Sequence, residues 1–414
     1  MVRLISIRLE VTLIKLDQRQ EKILRVIDDA AGTILSVSHQ IHDHPELGYQ
    51  EVFASSLIAD TLIAHGFEVE RGYAGIPTAF CARRGSDRGP RVAFLAEYDA
   101  LPGVGHGCGH NIIATSALSA GIGLGAVVTE LEGDVWVIGT PAEETDGAKV
   151  VMVERGAFQS VDAALMIHPH EGNYYMTESL AMDALEVTFF GRPSHAAAAP
   201  WEGINALDAM IQTFNSMNAL RQQVRPDARL HGVIVEGGVA PNIIPDHTVG
   251  RFYLRAKTRQ YLNELVEKFK ACVQGAALAT GTSFEIKNYE NSFDDMVNNL
   301  VLAERMHDYF TQVLSSAPFK RAPETFGSVD MGNVSHVVPG VHVLIDIADG
   351  KSLSPHTPEF QQAVATPYAD AALLRAGKAL ALTGYDVLTD AGFLEAARAE
   401  FATTLGYPPS KSGG

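Results

Sequence analysis

Residues 105–111 read GHGCGHN, which places one thiol, Cys108, and two imidazoles, His106 and His110, within five residues. A thiolate beside imidazoles is a ligand set for a borderline metal such as Zn²⁺. With His110 as a base, the same thiol is also the start of a nucleophilic or redox site. Glycines on both sides of Cys108 free the backbone to turn, so that Cys108 and His110 can face the same way. Further along, the run DVWVIGT leads into Pro141, Ala142, Glu143 and Glu144. Adjacent side chains diverge, so one carboxylate can ligate a metal while the other works above it as a general base. The plainer alternative for the pair is a solvated turn. His168 closes the apolar run VDAALMIHP, and its plainer alternative is a satisfied core histidine. The chemistry depends on whether the fold brings these residues together.

Three elements must position them. The runs FEVERG, TAFCARR and RVAFLAEYD are rich in β-branched and aromatic residues and bounded by Gly, Pro and Asp, which reads as strands. GHGCGHN lies between the last of these and a small-residue helix over 112–128, and strands DVWVIGT and VDAALMIHP flank a further helix, AKVVMVERG. Strands alternating with helices predict βαβ crossovers and a mostly parallel sheet, with ligands gathered at the carboxyl ends of the strands. Upstream, apolar spacing predicts helices over 13–38 and 53–65.

Near residue 184 the rhythm changes. ALEVTFFG, a helix over 203–221, RLHGVIVEGG, HTVGRFYLRA, a helix over 259–279 and SFEIKNYE spell β-α-β-β-α-β, the ferredoxin-like order. From about residue 291 the sequence returns to helix, the strand GVHVLIDI and a long terminal helical stretch. The expected fold is therefore α/β: a discontinuous catalytic domain over 1–183 and 294–414, interrupted by an inserted domain over 184–293. At about 150 residues per domain, 414 residues accommodate both.

Composition narrows the partners. Hydrophobic residues are 46% and charged residues 20%, too apolar for a disordered chain. With 32 Lys and Arg against 49 Asp and Glu, the formal charge is −17, which repels phosphate backbones and anionic membranes, so nucleic acid and membrane are not expected partners. Three cysteines, Cys81, Cys108 and Cys272, make no disulfide framework and suit a reducing, cytoplasmic setting. Charges interrupt the N-terminal apolar run, and no segment reads as an 18-residue membrane span. The last residues, SKSGG, read as a frayed tail. Cys81 and Cys272 read as buried apolar positions, and His42 and His44 as helix-start structure.

Taken together, AEYDALPG, GHGCGHN, GTPAEE and the MIHP strand end resemble the aminoacylase/carboxypeptidase-G superfamily of metal-dependent amidohydrolases. PNIIPD and GSVDMGNVS are similar to its branch of aminobenzoyl-glutamate hydrolases and dipeptidase-like members, and the resemblance runs from HDHPELGYQE to PHTPEF. It implies that Cys108, His110, Glu144, His168 and His356 hold two divalent transition metal ions, Zn²⁺ or Mn²⁺ with Co²⁺ also possible. It further implies that Glu143 is the general base and that Asp99 orients an imidazole from behind. Glu97 stands where many relatives carry a metal-binding histidine. His195, in GRPSHAAAAP, matches an imidazole that reaches a neighbouring active site and helps hold the oxyanion, while Asn242 and Arg255 match contacts to the substrate carboxylate and carbonyl. Gly327 and Ser328 match a loop that approaches substrate, and Asp330 reads as a structural loop carboxylate.

The implied protein is a homodimeric amidohydrolase for an N-acyl amino acid or dipeptide with a free carboxylate, with aminobenzoyl-glutamate-like substrates and dipeptides both open. Two other readings compete: a catalytically silent metal- or ligand-binding module on the same fold, and an enzyme that depends on Cys108 as nucleophile.

Overall fold

The computed structural model describes residues 14–322 and 327–406; the SKSGG tail lies outside the described residues. The strands in chain order are β1 (Glu68–Arg71), β2 (Phe80–Gly85), β3 (Arg91–Ala96), β4 (Asp134–Gly139), β5 (Ala163–His170) and β6 (Tyr174–Met176), then β7 (Ala181–Phe190), β8 (Arg229–Glu236), β9 (His247–Ala256), β10 (Ser283–Asn288), β11 (Lys320–Arg321) and β12 (Gly340–Asp346). They form two sheets. The larger has the order β1-β2-β4-β3-β5-β12-β6-β11, and the smaller β10-β7-β9-β8.

At the centre of the large sheet β4, β3, β5 and β12 run parallel. Their residues are apolar on both faces, as a sheet covered on both sides requires. In β5, Leu165 and Ile167 enter one buried cluster while Ala164 and Met166 enter another. The parallel strands end on one rim, and the loops carrying the chemistry leave from there. The short strands β6 and β11 at one end of the sheet, of three and two residues, are too brief to show a period in the sequence and are not expected from it.

The smaller sheet is antiparallel throughout, with helices Ala206–Leu220 and Arg259–Thr280 packed on it around Phe252, Phe269 and Leu265. The element order is β-α-β-β-α-β, as the sequence predicts. A clean 3.6-residue apolar stripe, capped by Thr258 and closed by Gly281 in the left-handed region, explains why the second helix was legible to within a residue.

Several expectations change. The predicted helix over 13–38 is two helices, Gln18–Asp29 and Ala31–Asp43, with Leu13 outside the described residues. Ile23, Ile27, Ile34, Val37 and Ile41 are all buried, so the apolar spacing runs across the break at Ala30 and hides it. His42 and His44 lie at the end of the second helix, not at a helix start. Cys272 is only partly buried, while Cys81 is fully inside. Among the described residues one helix, His110–Val128, is long and apolar enough to cross a membrane, contrary to the expectation that none is; 94% of its apolar window is buried in the protein, packed against the central sheet.

Candidate active site

GHGCGHN follows β3 and opens the helix His110–Val128. Gly109 caps that helix at φ +81°, and a Cβ there would sit 2.4 Å from Pro169 Cγ, so the sharp turn needs glycine. The turn brings Cys108 Sγ to 3.4 Å from His168 Nε2, which arrives at the end of β5. From the end of β4 come Glu143 and Glu144. The residue before them, Ala142, is held in the left-handed region at φ 57°, with its amide donating to buried Glu51 at 2.7 Å. His356, also left-handed at φ 67°, is anchored by its amide on the Gly107 carbonyl and lies with Nε2 3.1 Å from Glu144 Oε1. Two non-glycine residues in this sparsely populated region, one just before the glutamate pair and one in contact with it, mark backbone shaped for a site.

Asp99 ties the set together. Its Oδ1 lies 2.9 Å from His110 Nδ1, and its Oδ2 accepts the Glu144 amide at 2.9 Å. One buried carboxylate thus orients an imidazole and the backbone of the carboxylate pair. With Nδ1 engaged, His110 Nε2 points into the site with no hydrogen-bond partner among the described residues; Glu97 Oε2 at 3.6 Å and Glu144 Oε1 at 3.8 Å are its carboxylate neighbours. A buried ring nitrogen without such a partner, beside a thiol, further imidazoles and carboxylates, is a place where a cation can replace the ring's proton. The donor atoms of Cys108, His110 and His168, of Cys108, Glu144 and His356, and of His110, Glu143 and Glu144 each lie within 4.8 Å of one another. These residues fit one or more borderline divalent ions.

The electrostatics separate the two adjacent glutamates. Burial, then the charges of Glu97, Asp330 and Glu144, push the Glu143 carboxyl well above the usual carboxylate range. Burial works in the same direction on Glu144, but the hydrogen bond from His356 and the charge of His110 outweigh it and hold Glu144 down to about 2. One is a proton acceptor of raised affinity and the other a permanent anion, a division suited to base and ligand. Burial also pushes the Cys108 thiol well above its ordinary range, the opposite of what an activated nucleophile needs.

Beneath the pair lies a network that the sequence does not foreshadow. Lys149, fully buried, donates to Glu97 Oε1 at 2.5 Å and to Asp330 Oδ1 at 2.7 Å, while its amide donates to Asp330 Oδ2. Asp330 is therefore structural, as expected, but as half of a buried clamp. A lone lysine in the apolar run AKVVMVERG was the only local signal.

Two cavities meet at Glu143 and Glu144. One, of about 340 Å³, is lined by Cys108, His168, His356, His342, Gly327 and Ser328 as well as the two glutamates. The other, about 190 Å³, is lined by Arg255, Tyr253, Glu290, Asp146 and Ser328. Arg255 lies on β9, an interior strand paired on both sides, and is therefore not a surface charge on a sheet edge. His195 and Asn242 are not brought to this place. His195 is exposed, bridged to Ile243, with Nδ1 accepting the Ala197 and Ala198 amides; the neighbouring Asn242 carbonyl accepts the Ala196 amide. Neither lines either cavity within this chain.

A parallel-sheet rim bearing a buried carboxylate–imidazole–thiol cluster, with a small antiparallel module beside it, defines a hydrolase of the two-domain α/β kind. Residues 181–280 match the family described as a peptidase dimerisation domain. The chain is 38% identical over 401 residues to the Xaa-Arg dipeptidase of Mus musculus, covering 92% of this chain and 91% of that one. It is 33% identical over 315 residues to a p-aminobenzoyl-glutamate hydrolase of Escherichia coli, covering 69% of this chain and 64% of that one. Its fold is shared with a Bacillus subtilis protein described as a dinuclear metal-binding peptidase of the M20 family, at a TM-score of 0.64 and 21% identity, covering 86% of this chain and 99% of that one. The chain belongs to the M20 family of peptidases, hydrolases of amide bonds.

Proposed function

We propose that this chain is a metal-dependent amidohydrolase that cleaves an N-acyl or N-aminoacyl amino acid bearing a free carboxylate. The observation that carries the reading is the clustering of donor atoms at one strand rim, with Glu143 beside Glu144, Cys108, His110, His168 and His356. In this reading those last five residues hold two divalent ions, Zn²⁺, Mn²⁺ or Co²⁺. When bound, such ions polarise an amide carbonyl and bring the pKa of a water from about 15.7 toward ~7.

The chain's own residues do the rest. Asp99 engages Nδ1 of His110, so that loss of the Nε2 proton to a bound cation would turn the ring's lone pair into the site. Glu143 takes a proton from the attacking water and returns it to the leaving nitrogen, a role its raised proton affinity suits. The substrate spans the two cavities with its amide at the glutamates. Its carboxylate half lies toward Arg255, whose guanidinium can pair with it in a bidentate way. Asp146 and Glu290 give that same cavity two carboxylates, a composition suited to a cationic side chain on the carboxylate-bearing residue. Peptides of the Xaa-Arg type, which one relative's name specifies, are therefore the first substrates to test, and aminobenzoyl-glutamate the second.

We place the insertion at 184–293 and read it as the dimerisation module. The edge strand β8 supports this, since Val233, Ile234 and Val235 are exposed along it, as a strand awaiting a partner would be. In the dimer His195 and Asn242 serve the partner's cleft. Free thiols at all three cysteines favour a cytoplasmic setting.

The deciding experiment is metal analysis with a hydrolysis screen. About two equivalents of transition metal per chain are expected, with Xaa-Arg cleavage lost on chelation and restored by Zn²⁺, Mn²⁺ or Co²⁺. A metal-free chain with full activity would overturn the reading.

A further inference from the structure

A further cavity, of about 250 Å³, lies apart from the cleft and shares no lining residue with either cavity described above. It forms where the end of β12 meets the helix Pro367–Thr389 and the loop that follows the π-helical turn Tyr309–Val313. Tyr368, Ala372 and Arg375 recur at helical spacing, so they share one face of that helix, and all three line the cavity. Leu344 of β12 lines the larger cavity of the cleft and its neighbour Ile345 lines this one, so the two spaces lie on opposite faces of one strand.

Arg375 is half-buried there and makes no hydrogen bond or ion pair among the described residues. Its nitrogens are not sealed in the protein, since none belongs to the buried polar atoms that lack a partner. In a chain with 49 acidic residues against 32 basic ones, a guanidinium left unpaired in a cavity is a group to explain, and it is suited to a planar carboxylate. The same cavity holds an anion. Asp346, at the end of β12, accepts the Tyr368 hydroxyl on one oxygen and the Ala348 amide on the other, each at 2.8 Å, and a carboxylate has further lone pairs to offer. Asn173 accepts the Asp346 amide at 2.8 Å and so fixes the strand end. Ser316, whose amide donates to the Phe310 carbonyl, adds a hydroxyl with no partner among the described residues. Phe310, Ile345 and Ala372, all members of the main core, supply an apolar wall.

A cation and an anion that share one cavity without pairing with each other decide the charge of what fits between them. A phosphate at Arg375 would face the Asp346 carboxylate, and a metal ion at Asp346 would face the guanidinium. A zwitterion satisfies both. We propose that this cavity is a second, non-catalytic site for a free α-amino acid. Its carboxylate pairs with Arg375 and Ser316, its ammonium with Asp346, and its apolar side chain lies against Phe310, Ile345 and Ala372. A space of about 250 Å³ is smaller than the sites that take drug-sized molecules and suits a ligand of this size. The proposal rests on the amidohydrolase reading at one point only, that such an enzyme releases free amino acids.

The probe is leucine, titrated calorimetrically into the metal-loaded protein. Saturable binding at millimolar concentration or below is expected. Isocaproate, which lacks the amine, and isopentylamine, which lacks the carboxylate, should each bind about 10-fold or more weakly than leucine. Arg375→Met should remove this binding event and Asp346→Asn weaken it by a similar factor, with metal content unchanged in both. An isotherm that Arg375→Met leaves unaltered would place leucine in the cleft alone and overturn the proposal. Isocaproate or inorganic phosphate binding as tightly as leucine would overturn it too, by making the cavity an anion site. Should Arg375→Met not fold, Arg375→Gln takes its place. The two readings fail separately. A chain that cleaves no amide yet binds leucine through Arg375 keeps this site and loses the hydrolase assignment; one that cleaves alanyl-arginine without Arg375-dependent leucine binding does the reverse.

Discussion

Arg255 apart, which the small sheet carries into the smaller cavity, the two sheets treat their chemistry-bearing residues in opposite ways. The large sheet buries all but His356 of them and ties several through shared partners: Asp99 holds both His110 and the Glu144 amide, and Lys149 holds both Glu97 and Asp330. The small sheet leaves His195 and Asn242 on the surface, held by backbone contacts and lining neither cavity of their own chain. Burial preorganises a group for reaction at the cost of desolvation, whereas an exposed group on a rigid loop remains free to meet a second molecule. Residues of the large sheet should therefore show their removal in chemistry and stability together, and those of the small sheet in chemistry alone.

The sharpest test of that contrast lies at Glu143. Glu143→Gln keeps the shape of the side chain and removes its basicity, and a loss of about 10²–10⁴-fold in kcat is expected with metal content unchanged. Retained turnover would take Glu143 out of the base role and weaken the claim that burial here serves catalysis.

Lys149 comes next, because it lines neither cavity and reaches the site through its buried partners Glu97 and Asp330. Lys149→Met leaves Glu97 and Asp330 as uncompensated buried carboxylates, and removing one partner of such a group costs about 3–5 kcal/mol. Urea unfolding measures it directly. A loss below about 1 kcal/mol, the range of an exposed pair, would mean that the network is solvated and the contrast overstated.

On the other side of the comparison, His195→Ala should leave the urea midpoint unchanged and lower kcat by about 10²–10³-fold, the usual effect of losing one oxyanion contact. Mixing His195→Ala chains with Glu143→Gln chains then asks where the imidazole acts. A mixed dimer has one cleft with an intact Glu143 and an intact His195 only if His195 works across the interface. Recovery of activity on mixing supports that arrangement, and no recovery places His195 in its own chain's site or outside the reaction.

How much of this was legible in the sequence follows the same division. Cys108, His110, Glu143, Glu144 and His168 lie in loops or at strand ends whose punctuation by Gly and Pro is local, so the alternation of strand and helix placed them on one rim. Lys149 and Asp330 are 181 residues apart and each sits among apolar neighbours, so no local pattern joined them. The position of Arg255 needed the strand order as well: only pairing on both sides of β9 shows that its strand is interior.

The smallest expected effect concerns Glu51, which supports the left-handed Ala142 just before the glutamate pair. Burial, and then the charge of Asp99, raise its pKa from 4.5 to about 7, against the hydrogen bond from the Ala142 amide. A group whose folded pKa is raised contributes its full stability below the unfolded value and loses it as the pH climbs through the folded one. The folded chain holds this proton between about pH 4.5 and 7 while the unfolded chain releases it, so stability should fall over that window by up to about 3 kcal/mol. Other groups titrate in the same range, so the measurement is a difference. Urea midpoints at pH 5 and pH 8 should lie closer together in Glu51→Gln, which cannot ionise, than in the wild type. An equal separation in the two proteins would mean that Glu51 is ionised in the folded chain, and that Ala142 is held by a charged acceptor and not by a neutral one.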